Sequence, residues 1–556
     1  MAIPPELRAR ARAWLDDDPD PAGKAEVIAL LARDEEGPLR ERFGVRLTFG
    51  TAGIRGPLGA GPSRMNRALV RRVAAGLATH LLGSDGDAAR SGGVVIGRDA
   101  RHQSEEFADD VAAVLAGAGI PALVLPGPCP TPLLAFAVRH LDAAAGVMVT
   151  ASHNPPADNG LKVYGADGAQ IVPPTDAKIS AATDAVGPTL EIPLARGGDP
   201  LVRPLGDEVL DAYLDAAAGL VAPGPRHLRL VHTAMHGVAT APLLRLFERV
   251  GLEPPISVAA QADPDPDFST VPFPNPEEPG ALDLALSEAR RVGADAVIAH
   301  DPDADRLAVA VREPTGWRPL TGDELGALLA DHLLGSGEGG DRLVVRSIVS
   351  STLLDRIAEA HGAQSATTLT GFKWIVRAAA ERPGTTFTFG YEEALGYAVT
   401  DLVRDKDGLT AALVFIDLVG ELHLAGASVP DRLEAIARRH GLHATRTWSV
   451  RVTGADAPAR IAAAVARVAD HPPTALAGTA VVAVDRPAED VIVLLLDGGS
   501  RVVVRPSGTE PKLKCYLQVV VADIAPGTEG WLAARAQGEV RLGELQDAIA
   551  DATGLE

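Results

Sequence analysis

Short apolar runs recur along the chain, each followed by a loop rich in Gly or Asp and then by Ala and Leu at helical spacing. Segment 92–119, GGVVIGRDARHQSEEFADDVAAVLAGAG, shows the whole unit, and similar units occupy 228–250, 294–311 and 342–361 without a fixed sequence period. That order predicts α/β domains with mainly parallel strands. At the start of the chain Leu7, Ala11, Trp14 and Leu15 share one face, which predicts an amphipathic helix. The run 111–138 carries no charge, but Pro121, Pro126, Pro128, Pro130 and Pro132 interrupt it. A membrane span of about 20 residues does not survive so many missing donors, so this run predicts a helix, a buried strand and then a loop. Polar, Pro-rich stretches at 194–205, 262–280 and 312–320 predict connections, the middle one an ordered surface loop. After about His440 the texture changes. WSVRV, AVVAV and VIVLLL predict strands joined by turns and one helix.

A chain of 556 residues is too long for one core, and at about 150 residues per domain it divides into roughly three to four. Hydrophobic residues make up 46% and charged residues 22%, with 57 Gly and 43 Pro, which describes a globular, loop-rich protein. The net charge of −21 argues against nucleic-acid binding, which needs Lys and Arg against phosphates. An anionic ligand would therefore need a locally basic site. Cys129 and Cys515 cannot form a disulfide framework and lack metal-ligand spacing, so a cytoplasmic setting is expected. The first residues contain no apolar core of a secretion signal, and no membrane association is expected.

Three segments offer chemistry. In 146–170, GVMVTASHNPPADNGLKVYGADGAQ, an apolar strand delivers Ser152 into a polar turn where His153 and Asn154 can orient it and Lys162 is close by. The same turn also suits an ordinary loop hydroxyl, while the G-x-S-x-G elbow of many serine hydrolases is absent. In 296–311, AVIAHDPDADRLAVAV, Asp301, Asp303 and Asp305 alternate between two apolar strands and can converge on one hard cation. A solvated acidic turn is the plain alternative. An EF-hand is excluded, since Arg306 and Arg312 stand where it needs Gly and Glu. A haloacid-dehalogenase-type phosphatase normally has Thr or Val where Asp305 stands. In 501–516, RVVVRPSGTEPKLKCY, Arg505, Ser507, Gly508 and Thr509 combine a guanidinium fork, hydroxyls and an open N–H suited to a phosphate, or form a plain hairpin turn. TLTGFKWIV and FGYEEALGY add a Gly turn before Lys373 and a Glu392–Glu393 pair among aromatics.

Together FGTAGIRG, TASHNPPADNGLKVY, DPDADR, TGFKW, GYEEALGY, RDKDG and RPSGTEP resemble the α-D-phosphohexomutase superfamily, in the expected order from about Phe49 to Tyr516. VHTAMHGV, FPNPEEPG and LTGFKWIV resemble the branch that holds phosphoglucomutase-2, phosphopentomutase and bacterial phosphoglucomutase-type enzymes. The resemblance implies a phosphomutase in which Ser152 is the phosphoserine and Ser152, Asp301, Asp303 and Asp305 hold Mg²⁺. It implies that Arg55, Lys162 and His153 serve the reacting oxygens and that Arg306 meets the substrate or reacting phosphate. It further implies that Thr370, Gly371 and Lys373 sense sugar orientation and that Glu392, with Glu393 beside it, grips hydroxyls. Lys406, Arg505, Ser507, Gly508 and Thr509 would bind the phosphate that is not reacting.

The expected architecture is three consecutive α/β mixed-sheet domains at 1–205, 206–320 and 321–440, plus a smaller C-terminal α+β domain at 441–556, around a central cleft. They would carry, in turn, the phosphoserine, metal, sugar and phosphate loops. The expected reaction interconverts a sugar 1-phosphate and 6-phosphate through a sugar bisphosphate that is both intermediate and activator. Glucose is the first sugar, followed by mannose or a pentose, in a monomer or homodimer. Ala394 stands where many relatives carry a Ser hydroxyl, which leaves the sugar epimer open. A sugar-bisphosphate synthase and a noncatalytic phosphosugar sensor are the rival readings.

Overall fold

The computed structural model describes residues 3–48, 53–337, 339–454, 456–507 and 511–555. It divides into two compact units, Met1–Leu320 with Ala394–Gly420, and Thr321–Glu393 with Glu421–Glu556.

The first unit contains two mixed sheets. One runs in the order Ile54–Pro57, Asp158–Gly165, Ala145–Val149, Val94–Arg98, Ala122–Pro128 and Val202–Pro204. Its first three strands pair antiparallel and the rest are parallel. Every residue of Ala145–Val149 is buried, because helices leave a central parallel strand no wet face. Helices Arg67–Gly92 and Ser104–Gly117 cover one side, with Leu69, Val73, Phe107 and Val111 packed onto Val94, Ile96, Val147 and Val149. The other sheet runs Gly316–Pro319, Leu307–Glu313, Ala296–His300, Leu230–Thr233 and Ile256–Ser257, again antiparallel at one edge and parallel at the other. Ahead of both lie helices Pro5–Asp17, Pro21–Ala32 and Glu36–Phe43, which share a small core of Leu7, Ala11, Val27, Leu30, Leu39 and Phe43.

The second unit holds three parallel strands, Gln364–Thr368, Arg342–Ser347 and Thr386–Glu392, with Arg342–Ser347 central. It also holds a six-stranded antiparallel sheet from Leu442–Arg451 to Ala475–Leu476. Helices Ala457–Asp470 and Gly527–Thr553 pack Ile461, Val468, Leu542 and Leu545 onto that sheet. α/β domains with mixed sheets plus a C-terminal antiparallel-sheet domain are thus present.

Three local expectations are corrected. The prolines of 111–138 do not end in a loop. Helix Thr131–His140 begins there, with proline in its first turn, where the missing N–H would have no helical partner anyway. The stretch 312–320 is a hairpin rather than a linker, since Leu307–Glu313 pairs with Gly316–Pro319. Among the described residues the last domain has two α-helices instead of one. Among the described residues no single helix is long and apolar enough to cross a membrane.

Candidate active site

The parallel strands of the first unit release their loops at their C-terminal ends, where α/β sheets commonly bind ligands. Ser152 follows strand Ala145–Val149 at φ 54°, a left-handed conformation unusual for a residue with a side chain. Its amide donates to Thr150 Oγ1 at 2.8 Å. Its hydroxyl lies 2.9 Å from Asp301 Oδ2 and 3.2 Å from His153 Nδ1. Burial and the charges of Arg306 and Arg55 hold His153 well below the usual imidazole range, so it stays neutral. Asn154 does not orient the Ser152 hydroxyl, because its amide donates to Asp158 instead. Lys162 and Arg55 come from neighbouring strands, with Met148 paired to Lys162 and Gly160 to Arg55. A Cβ on Gly160 would stand 2.6 Å from Ile54 O and 2.8 Å from Arg55 Cγ and Thr150 O, so a larger residue would push this strand contact apart.

Asp301, Asp303 and Asp305 are all buried and bring one carboxylate oxygen each within 4.8 Å of one another. Ala304, at φ 57°, turns the loop between them. Oδ2 of Asp303 accepts from Lys162 Nζ at 2.7 Å and from Thr131 Oγ1 at 2.6 Å. Oδ2 of Asp305 accepts from Lys162 Nζ at 2.7 Å, and Lys406 Nζ stands 3.2 Å away. Oδ1 of Asp303 and Oδ1 of Asp305 are buried without a hydrogen-bond partner among the described residues. Burial, with the charges of Asp303 and Asp305, pushes the Asp301 carboxyl well above the carboxylate range. Burial would do the same to Asp303, but the Lys162 ammonium prevails and holds it well below. Three carboxyl groups share two ammoniums and keep two buried oxygens unused, a donor set that fits a hard divalent cation. Arg306 is anchored through its amide to Asp301 Oδ1 at 3.0 Å, and its guanidinium lies 3.4 Å from Glu277. Lys406, expected among binders of a distant phosphate, thus stands against a carboxylate of this cluster.

The remaining candidates gather in the second unit. Gly371, at φ 117°, donates its amide to Glu392 Oε1 at 2.7 Å. Glu393 accepts from Ser347 Oγ and Ser350 Oγ at 3.3 and 3.1 Å. The Lys373 ammonium lies 5.8 Å from the Trp374 ring. Arg505 donates to Thr370 Oγ1, and Ser507 N to Lys512 O at 2.8 Å. Gly508 and Thr509 lie outside the described residues.

Several neighbours had no evident chemistry in the sequence. Thr131 reaches Asp303 across 172 residues. Buried Asp405 accepts from Tyr164 OH at 2.7 Å and Gln170 Nε2 at 2.8 Å, behind Lys406. The turn HTAMHGV lies on the Asp loop, where Val238 N donates to Pro302 O at 3.0 Å and a Cβ on Gly237 would meet Pro302 Cα at 2.4 Å. Arg101 lies under the Ser152 loop. Its signal was legible in kind, since GRDAR is another apolar strand ending in charge.

Sequence-family models match most of the chain. They are the phosphoglucomutase/phosphomannomutase α/β/α domains I, II and III, at residues 46–188, 211–316 and 321–440, and the C-terminal domain at 450–524. A protein of Haemophilus influenzae described as a probable phosphomannomutase is 43% identical over 82% of this chain and 92% of its own length. A probable phosphoribomutase of Schizosaccharomyces pombe is 36% identical over 92% and 94%. A phosphoglucomutase of Staphylococcus haemolyticus is 35% identical over 86% and 91%.

Proposed function

The chain belongs to the phosphoglucomutase/phosphomannomutase family, and on that premise we propose that Ser152 carries the phosphoryl group this phosphosugar mutase moves. As an isomerase of the phosphomutase type, it transfers phosphate between two oxygens of a sugar. One observation carries the assignment of Ser152. A hydroxyl at the end of a buried strand stands 2.9 Å from Asp301, beside two further carboxylates and the Lys162 ammonium.

From phosphorylated Ser152, the bond between Oγ and phosphorus breaks while a sugar hydroxyl bonds to phosphorus, and the proton the hydroxyl loses ends on Ser152 Oγ. In the return transfer, Ser152 Oγ attacks the other phosphate of the bisphosphate. His153 Nδ1, neutral and 3.2 Å away, then accepts the serine proton. Lys162 and Arg55 supply positive charge to the reacting oxygens, and Arg306 meets the phosphate from the Asp loop. Asp301, Asp303, Asp305 and the Ser152 phosphate would hold Mg²⁺, which when bound neutralises charge on the transferring group. The position of Lys406 favours this reacting end. Thr370, Gly371, Lys373, Glu392 and Glu393 read the sugar, and Arg505 with Ser507 grips its second phosphate, because a guanidinium fork matches a phosphate.

Glucose 1-phosphate and 6-phosphate are the pair put first, with mannose and pentose phosphates next, and the names of the three relatives cover all three sugar classes without ranking them. The buried thiols Cys129 and Cys515 suit the cytoplasm. Phosphopeptide mapping of active enzyme should find phosphate on Ser152, and Ser152→Ala should lose nearly all turnover. Phosphate on another residue, with Ser152 unmodified, would overturn the assignment. A panel of glucose, mannose, ribose and deoxyribose 1-phosphates identifies the sugar, and net release of bisphosphate would point to a synthase.

A further inference from the structure

The Ser152 loop has a left-handed residue at its head and no helix or ladder to hold segment 152–157. A left-handed conformation costs an ordinary residue about 1–2 kcal/mol, so something must hold it. Thr150 Oγ1 takes the Ser152 amide and Leu58 N reaches Ala157 O, but one side chain gathers the loop's carbonyls. Arg101 Nη2 donates to Ser152 O and Asn154 O, both at 2.6 Å, and Nη1 donates to Pro155 O at 2.8 Å and Asp158 O at 3.1 Å.

Arg101 is buried, and Asp99 Oδ2 lies 3.3 Å behind its Nε. Asp99 is held in turn, since Oδ1 accepts from Arg101 N at 3.0 Å and Ser104 Oγ at 2.7 Å. Asn159 Nδ2, at the far end of the loop, donates to His102 O and Ser104 Oγ at 2.9 and 3.1 Å. The outer face of the guanidinium is covered by the Phe268 ring, whose centroid lies 4.8 Å away. Phe268 belongs to the 262–280 loop, which also touches this platform where Asp267 meets His102 at 2.7 Å.

We propose that Arg101 is the positioning residue of the phosphoryl-carrying loop, gathering four of its carbonyls to set the Ser152 hydroxyl against Asp301, with Phe268 as its brace. The proposal rests on Ser152 being the phosphoryl carrier. The Arg101 guanidinium is engaged by these carbonyls and by Asp99, so it acts through the backbone of Ser152. A lysine offers three donors from one point and cannot span carbonyls spread over seven positions, whereas the planar fork does. Misplacing a reacting atom by about 1 Å can cost about 100-fold in rate. The loss should therefore fall on the chemical step more than on binding.

The test compares full-length wild type, Arg101→Lys, Phe268→Leu and Ser152→Ala with Mg²⁺ and whichever sugar 1-phosphate wild type turns over fastest. For each protein it reads melting temperature, kcat, KM and the loss of phosphate from Ser152 to water without sugar. Arg101→Lys should lower kcat about 100-fold with KM within about 3-fold, while phosphoserine hydrolysis speeds relative to transfer. Phe268→Leu, which keeps the guanidinium, should lower kcat about 3- to 10-fold in a stably folded protein, and it decides the matter if Arg101→Lys does not fold. Wild-type kcat in either folded variant, or a change confined to KM, overturns the proposal. So does a fall in kcat that merely tracks the folded fraction. If Ser152→Ala keeps turnover, the phosphoserine reading itself falls; if it is inactive while Arg101→Lys behaves as wild type, only the Arg101 inference falls.

Discussion

Lys162 is an ammonium with almost no contact with water, and its place depends on two carboxylates that lie 141 and 143 residues further along. Breaking a buried ion pair by removing one partner commonly costs about 3–5 kcal/mol, because the other charge is left uncompensated. Lys162→Met should therefore destabilise the metal-free protein by about that amount and lower turnover at least about 100-fold. The variant's carboxylates also carry more net negative charge. Mg²⁺ should raise its melting temperature more than that of wild type, a comparison made by thermal-shift titration. Equal shifts would mean that Lys162 does not share these carboxylates with a cation. At this scale the residue types were legible, since Ser152 and Lys162 share one segment and the three Asp another. The contact between them was not, because proximity in sequence carries no information about loops this far apart.

Helix Gly408–Leu424 starts at Asp407, whose Oδ1 accepts from Leu409 N at 3.0 Å and whose carboxylate accepts from Tyr213 OH at 2.9 Å. Burial outweighs these hydrogen bonds and raises the Asp407 carboxyl from 3.8 to about 6. The folded protein thus holds this proton more tightly than the unfolded chain. Its contribution to stability is complete below about pH 4 and is lost as the pH rises through 6. Asp407→Asn keeps an acceptor for the helix amides and removes the titration. Between pH 4 and pH 7.5 the variant should gain on wild type by on the order of 2–3 kcal/mol, read from urea unfolding at both pH values. A constant difference would show that Asp407 ionises normally in the fold. Elements were legible wherever burial on both faces leaves an uninterrupted apolar run, as in AGVMV and VIVLLL. Helix Thr131–His140 was not, because proline reads as a breaker unless its position in the first turn is already known.

With a net charge of −21, the whole chain repels itself, and three of its acidic groups lie buried in one loop of the first unit. A multi-domain protein need not unfold in one step, and a ligand that binds only folded protein stabilises the part that binds it. Calorimetry should therefore resolve the unit formed by Met1–Leu320 and Ala394–Gly420 as the one whose transition falls with chelator. Mg²⁺ at about 100 times its dissociation constant should restore about 2.7 kcal/mol. A shift confined to the other transition would remove the Asp cluster as the metal site. Short-range pattern by itself determined the strand-loop-helix units, the change to strands joined by turns in the C-terminal domain and the three chemical segments with their residue types. Those follow from burial and from neighbours a few residues apart. Tertiary structure alone decided that Lys162 answers Asp303 and Asp305, that Lys406 turns to Asp305 and that Arg101 holds the Ser152 loop. Each of these depends on the register and crossovers that bring separate strand ends to one edge, and pairing between distant strands is a long-range choice that no local run of residues encodes.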